Sequence, residues 1–460
     1  MTLRRTLPAL TVLTFALLTA CNTAPITDTS ANNKGAPRFD YVATVPLESG
    51  DTPKDLSRTL GGTVLSWDNT DCGTADSEIC VALMGMNIKN TVQGKASPQT
   101  AQLHAQGLEA QASRKVYIEP NKDVFSGGGS ITATMGGSMG VWAGGSMGVW
   151  AGGSMGVWAG GIYAPLPQNT TLWQKIRLQQ AHTLAPSLGA GVIVAVIDTG
   201  IDLKHPAFQG SLTAAASWRD FYANDAIPQE EGVLGIGGYG HGTNVAGIVL
   251  QIAPKAKIMP LRVLGQDGSG DVIMVAQAVD WAVANGAKII NMSLGSEDNS
   301  KVVQDAIDRA IGKGILVVSS AGNANLNKIT YPATNADLKG TGNYAVSVGS
   351  VSLQDVKSTF SNYADTLEMV APGENVAAPA PGGMLAAWSG TSMAAPMAAG
   401  GLALALGQTL SVPLSDLTQK MVGNAFDVYG ISANQPYKDK LGDKGRLDLE
   451  TFLKSAIVVK

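Results

Sequence analysis

Four short stretches of this chain set reactive side chains among glycines and small residues. Asp198-Thr199-Gly200 directly follows Val192 to Ile197, an apolar, mostly β-branched run of the kind that forms a strand buried on both faces. A carboxylate there is well fixed and partly desolvated; it can equally cap the next turn. Gly240-His241-Gly242-Thr243 precedes an Ala- and Gly-rich stretch, and its glycines let the backbone approach closely and leave an imidazole edge open. Of the four histidines, His104, His182, His205 and His241, only the last has that setting, and His205-Pro206 reads as a turn. Gly390-Thr391-Ser392-Met393-Ala394-Ala395-Pro396 leads into Ala398 to Leu406. Ser392 then falls at a helix start, where outward N–H groups and the helix dipole favour an oxyanion. A Ser in that place also serves as a plain cap, and Pro396 is expected in the first turn. Ser320-Ala321-Gly322-Asn323 follows the run Ile315 to Ser319, and the Asn amide can donate to an oxyanion or shape a turn.

The elements that must position these residues alternate in type. Val192 to Ile197, Ile258 to Val263, Lys288 to Met292, Ile315 to Ser319 and Ala345 to Val348 read as strands. Asp271 opens a helical stretch with Val272, Ala276, Val279 and Val283 on one face, closing at Gly286. Val302 to Ile311 reads as a second helix ending near Gly314. Such alternation implies parallel pairing with right-handed crossovers, hence a three-layer α/β domain with a mostly parallel central sheet. In such sheets the site lies beyond the carboxyl ends of the strands.

In the chain order Asp, His, Asn, Ser, these motifs resemble those of the subtilisin-like serine proteases, the subtilases. The resemblance runs from about Leu172 to Leu453, and Gly445-Arg446-Leu447-Asp448 is similar to the family's closing segment. It implies a serine endopeptidase acting on protein or peptide substrates. Ser392 would attack the scissile carbonyl, His241 would move the proton, and Asp198 would orient the imidazole and stabilise its cation. The Asn323 amide and the Ser392 N–H would form the oxyanion hole. The resemblance also assigns Gly268-Ser269-Gly270 and Ser293-Leu294-Gly295 as edges pairing with an extended peptide. Ala321 and Gly322 would floor an open pocket favouring large apolar side chains. An esterase of the nucleophile-elbow type would need Gly-x-Ser-x-Gly with Ser first in chain order, whereas Ser392 comes last.

The remaining third of the chain reads as processing apparatus. Residues 1–20 form a signal peptide, with Arg4 and Arg5 ahead of the apolar Leu7 to Leu18. Leu18-Thr19-Ala20-Cys21 resembles a lipoprotein cleavage site, which implies lipidation at Cys21, a membrane tether and a cell-envelope residence, with release after a later cut. Residues 21–125 form a small α+β segment: Arg38 to Val45 and Val116 to Ile118 read as strands and Pro98 to Ala112 as helical. Lys115 to Asn121 looks like the end of a subtilase propeptide, an intramolecular inhibitor and folding helper, with autocleavage expected after about Asn121. Cys72 and Cys80, eight positions apart, can close a small loop as a disulfide. Residues 126–168 are a Gly-rich linker carrying GGSMGVWA three times, at 136–143, 144–151 and 152–159, and residues 169–460 are the catalytic domain. Trp142, Trp150 and Trp158 can meet a membrane interface, a glycan or a groove of the protein, or the repeats can be linker alone.

Composition narrows the field. With 32 basic and 36 acidic residues among 460, net charge is −4, which excludes a strongly basic nucleic-acid binder. The chemistry implied by the resemblance needs no cofactor. Structural calcium is compatible with it, but the usual strong-site loop is missing: Val249 to Pro254 runs straight on, and Ala207 follows His205-Pro206. The family's usual second His of the His motif is Asn244 here. The contrasting expectation is a non-catalytic envelope scaffold on the same fold, with the Trp repeats as its adhesive part.

Overall fold

The protein is described by a computed structural model covering residues 39–48, 50–68, 80–87, 101–102, 104–106, 108–109, 115–121, 123–126, 169–233, 237–336 and 344–458. Residues 1–20, expected to be a signal segment, with Cys21, Cys72 and the three repeats, lie outside the described residues.

The first part is a four-stranded antiparallel sheet in the order β2-β3-β1-β4. Its members are β1 (Tyr41–Pro46), β2 (Thr63–Asp68), β3 (Val81–Met86) and β4 (Tyr117–Pro120). The helix α1 (Pro53–Leu60) starts where Thr52 accepts the Asp55 N–H and Pro53 occupies a position that needs no N–H partner, and the described residues between 101 and 109 are helical too. It buries Leu56 and Leu60 against Tyr41, Ala43, Val45 and Met84. Cys80 is buried and disulfide-bonded; Cys72, its expected partner, is outside the described residues. The next strand, β5 (Asp123–Ser126), leaves this sheet altogether.

The second part is built on a nine-stranded sheet, with four further strands outside it. In chain order the strands of this part are β6 (Ile193–Asp198), β7 (Arg219–Asp220), β8 (Lys257–Arg262), β9 (Ser269–Asp271), β10 (Ile289–Met292), β11 (Leu294–Gly295) and β12 (Leu316–Ser320). They continue with β13 (Ala345–Val351), β14 (Met369–Pro372), β15 (Val376–Ala380), β16 (Met384–Trp388), β17 (Phe426–Asp427) and β18 (Gly445–Arg446). The large sheet has the order β17-β18-β14-β13-β12-β10-β6-β8-β7, parallel throughout except for β17 against β18.

Side chains alternate across this sheet and divide the core in two. Val194 and Val196 of β6 join Val318 and Val346 on one face, beneath α2 (His241–Ile252) and α5 (Thr391–Leu406). Ala195 and Ile197 join Met259 and Ile290 on the other, beneath α3 (Val272–Ala284) and α4 (Lys301–Gly312). The result is the three-layer α/β architecture expected from the alternation of elements. The helix starts follow their residues: Asp271 accepts the Met274 N–H at 3.0 Å and Ser300 the Val303 N–H at 3.3 Å.

One local expectation fails. Pro396 sits inside α5 rather than in its first turn. A proline there cannot bond the carbonyl four residues back, which is that of Ser392. The Ser293 hydroxyl donates to that carbonyl instead, at 2.9 Å. The proline thus frees a carbonyl next to Ser392, and a neighbouring strand end takes it up.

Candidate active site

Asp198 is the last residue of β6 and His241 the first of α2, and both are buried. Their approach depends on glycine. A Cβ at Gly242 would stand 2.1 Å from Gly200 O, so no other residue lets the helix start sit on the Asp198 turn. Asp198 Oδ1 lies 2.7 Å from His241 Nδ1 and accepts the Thr199 N–H at 2.8 Å. Asp198 Oδ2 has no hydrogen-bond partner among the described residues. Burial opposes protonation of His241, but the charge and hydrogen bond of Asp198, with the charge of Glu230 beyond, outweigh it and raise the imidazole pKa above 6.5. The ring packs edge-to-face on Trp388 at the end of β16, 5.7 Å between centroids at 78°.

Ser392 is the second residue of α5 and is buried. Its hydroxyl donates to Ser293 O at 3.2 Å and makes no hydrogen bond to His241 among the described residues. Such contacts tighten when substrate arrives. Asn291 in turn donates to Ser293 Oγ at 3.0 Å. Asn323 stands three residues beyond the end of β12, and its Oδ1 accepts both the Thr391 N–H (2.8 Å) and the Thr391 hydroxyl (3.0 Å). These bonds fix which end of the amide is the donor end. Ala321 is buried, and Gly322, with φ +100°, gives its N–H to Thr391 Oγ1 at 3.1 Å.

The two expected substrate edges, Gly268-Ser269-Gly270 and Ser293-Leu294-Gly295, face a shared gap, and β5 fills it. Asp123, Val124 and Phe125 pair antiparallel with Asp271, Gly270 and Ser269. Phe125 and Ser126 pair antiparallel with Gly295 and Leu294. The strand therefore runs towards Ser293, the residue bonded to Ser392. Lys115 to Asn121 stays with the small sheet through β4, where Ile118 pairs with Ala43, and Asp123 to Ser126 lie between the two edges. A small pocket with both apolar (Val272, Leu294, Val303) and polar (Asp298, Gln304, Asn335) lining residues opens beside β11.

His205 and His182 are held by other contacts. His205 Nδ1 accepts the Ala207 N–H and its Nε2 lies 2.9 Å from Met384 O; His182 Nε2 lies 2.8 Å from Ile252 O. Asn244 is buried in α2 with its amide towards Pro379 O and Ala386 O. Among the described residues no group of three or more His, Cys, Asp or Glu side chains is placed to hold a metal ion.

A parallel α/β sheet with a buried Asp–His pair at one strand end, a serine at a helix start and an amide beside it defines an enzyme of the serine hydrolase class. The family model described as the Subtilase family matches residues 189–449. Thermitase of Thermoactinomyces vulgaris is 37% identical over 229 residues, 48% of this chain and 75% of the relative. Subtilisin Savinase of Lederbergia lenta is 39% identical over 213 residues, 44% of this chain and 72% of the relative. A solved structure of a cold adapted subtilisin-like serine proteinase is 32% identical and covers 56% of this chain and 88% of its own, with a TM-score of 0.46. The chain belongs to the subtilase family and is a subtilisin-like serine-type endopeptidase.

Two neighbours of the site escaped the sequence reading. Trp388 gave no signal beyond being aromatic. Glu230 is buried while Glu231 beside it is 70% exposed, and nothing in a Glu-Glu pair tells which is which.

Proposed function

We propose that Asp198, His241 and Ser392 form a catalytic triad and that the chain is an exported precursor which cleaves itself. The observation that carries this reading is the seat of β5, an extended segment paired on both edges and directed at Ser392. An incoming peptide would take the same place and gain the same backbone hydrogen bonds, which are sequence-tolerant. Ala321 and Gly322, both small, would floor the pocket for the side chain before the cut.

In the reaction, Ser392 Oγ leaves Ser293 O and attacks the scissile carbonyl while His241 Nε2 takes its proton. Asp198 holds Nδ1–H and stabilises the imidazolium. The Asn323 amide and the Ser392 N–H receive the oxyanion. His241 then gives its proton to the leaving amine, and a water repeats the sequence on the acyl-enzyme. Side chains and backbone carry every step.

Several contacts support the small sheet as a built-in inhibitor. Glu119 of β4 accepts the N–H groups of Lys301 (2.9 Å) and Val302 (3.3 Å) and the hydroxyl of Ser300, so a propeptide carboxylate caps α4 of the catalytic domain. An anion so placed is worth up to about 2 kcal/mol. Lys301 lies over the Tyr117 ring at 5.3 Å, Ser66 donates to Asp280 at 3.0 Å, and Gln277 donates to Leu65 O at 3.2 Å. Parallel sheets fold slowly because their contacts are non-local, which gives such a template its use. Cys21 would carry a lipid and tether the precursor to the cell envelope, and cleavage would release the enzyme.

The register sharpens the expected cut. Ser126 pairs with Leu294, the neighbour of Ser293, which supports a cut within a residue or two past Ser126, ahead of the repeats. Intact mass of the purified chain, wild type beside Ser392→Ala, tests this. The expected result is a mature form beginning just past Ser126 in the wild type only. A cut before β5, or an equal cut in both proteins, contradicts it.

A further inference from the structure

A second acidic residue sits beneath the Asp–His pair. Glu230 is 3% exposed. Its Oε1 accepts the Thr199 hydroxyl and the N–H groups of Gly240 (2.8 Å) and Gly242 (3.3 Å). Its Oε2 accepts the Thr243 hydroxyl and the Thr243 N–H (3.3 Å). Thr199 adjoins Asp198, and Thr243 lies two residues beyond His241. Both hydroxyl oxygens are themselves acceptors, Thr199 Oγ1 from the Gly242 N–H (2.9 Å) and Thr243 Oγ1 from the Asp202 N–H (2.8 Å). Each hydroxyl proton is therefore committed to Glu230, and the carboxylate meets five donors. Burial, with the charge of Asp198, outweighs the opposing bonds from Thr199, Thr243 and Gly240 and leaves its carboxyl pushed up to about 7.

We infer that Glu230 is a positioning residue, clamping the Asp198 turn to the first turn of the His241 helix so that imidazole and carboxylate meet in working geometry. It touches neither substrate nor the reacting atoms. Three further titratable groups act on it or feel its charge: Asp198 from the end of β6, His241 from α2, and Tyr239 from the preceding loop. Arg262 serves its neighbours instead, bonding Gln229 O and Glu231. Because the negative charge of Glu230 helps raise the His241 pKa, removing it should lower that pKa. A role confined to stability would leave the pKa where it is.

The inference rests on the triad reading, and its test separates the two. Full-length wild type, Glu230→Gln, Thr199→Val and Thr243→Val are expressed and allowed to mature. Each is assayed on a peptide substrate across pH, and its fluorophosphonate labelling rate is measured. The expected result for Glu230→Gln is a fall in kcat of about 10- to 100-fold with KM within about twofold, slowed labelling, and an acid limb moved to lower pH. Each threonine variant should lower kcat in the same way but less. Where Glu230→Gln fails to fold, the threonine variants decide: loss of kcat at unchanged KM supports the clamp, and unchanged kcat overturns it. A folded Glu230→Gln enzyme with wild-type kcat and acid limb, altered only in melting temperature, also overturns it. Failure of the wild type to label at all strikes the triad reading itself.

Discussion

The two sides of the site are made of different materials. On the acid–base side, two carboxylates and an imidazole are buried together where β6 ends and α2 begins, with Asp198, Glu230 and His241 within a few bonds of one another. On the nucleophile side, the groups that hold Ser392 and its surroundings are neutral: Ser293, Asn291, Asn323 and Thr391. On the mechanism we propose, the difference follows from where charge appears during the reaction. A proton must be drawn onto His241, so negative charge beside it helps. An oxyanion must form beside Ser392, so a buried carboxylate there would repel it, and preorganised N–H donors are the better material.

This contrast can be broken from either side. Asp198→Asn should lower kcat by about 10⁴-fold, the size of effect such a change has in serine proteases, subtilisin included, because the imidazole loses its orienting anion. Steady-state kinetics on a peptide substrate checks it, and a loss below about tenfold would mean that Asp198 does not serve His241. Asn323→Ala should lower kcat by about 10²- to 10³-fold with KM little changed, a magnitude carried over from subtilisin itself. A rise in KM at constant kcat would instead place Asn323 in substrate binding.

The pH profile sharpens the same contrast. His241 must be neutral to accept a proton, and its pKa is raised above 6.5, so kcat/KM should rise with pH through a midpoint above 6.5. Glu230, pushed up to about 7, titrates in the same range, so the acid limb reports the pair rather than either residue. A midpoint below 6.5 would remove the negative charge from the acid–base side of the account. The smallest effect concerns metal. We propose that the strong calcium site of the family is missing, so chelation should shift the melting temperature of the mature enzyme by less than about 2 °C. A drop of more than about 10 °C would show a stabilising cation bound tightly elsewhere.

Much of this molecule is legible in its residues, for physical reasons that also mark the limit. A strand buried on both faces must be apolar throughout, so Val192 to Ile197 announces β6, and Asp198 is found by stepping off its end. A helix start is visible where a side chain must accept an N–H, as at Asp271, whereas the cap at Ser300, one residue ahead of the helix and two ahead of its first apolar residue, is shown by the fold. The seat of β5 is not visible, because its pairing with β9 and β11 is made by backbone, and Asp123 to Ser126 carries no side-chain period. Glu230 is hidden for a related reason. Its partners lie 31 residues before it and 10 to 13 after it, and only the fold brings them together. Pro396 misleads because a proline is tolerated inside a helix when another donor, here Ser293, takes the freed carbonyl.

The most direct test of the central claim is fluorophosphonate labelling of the purified chain, wild type beside Ser392→Ala, with intact mass recorded on both. The account predicts one adduct, on Ser392 of the wild type alone, in a protein shortened to just past Ser126. A folded wild type that neither labels nor shortens would contradict it, and the chain would then be a binding scaffold carrying an unassembled triad.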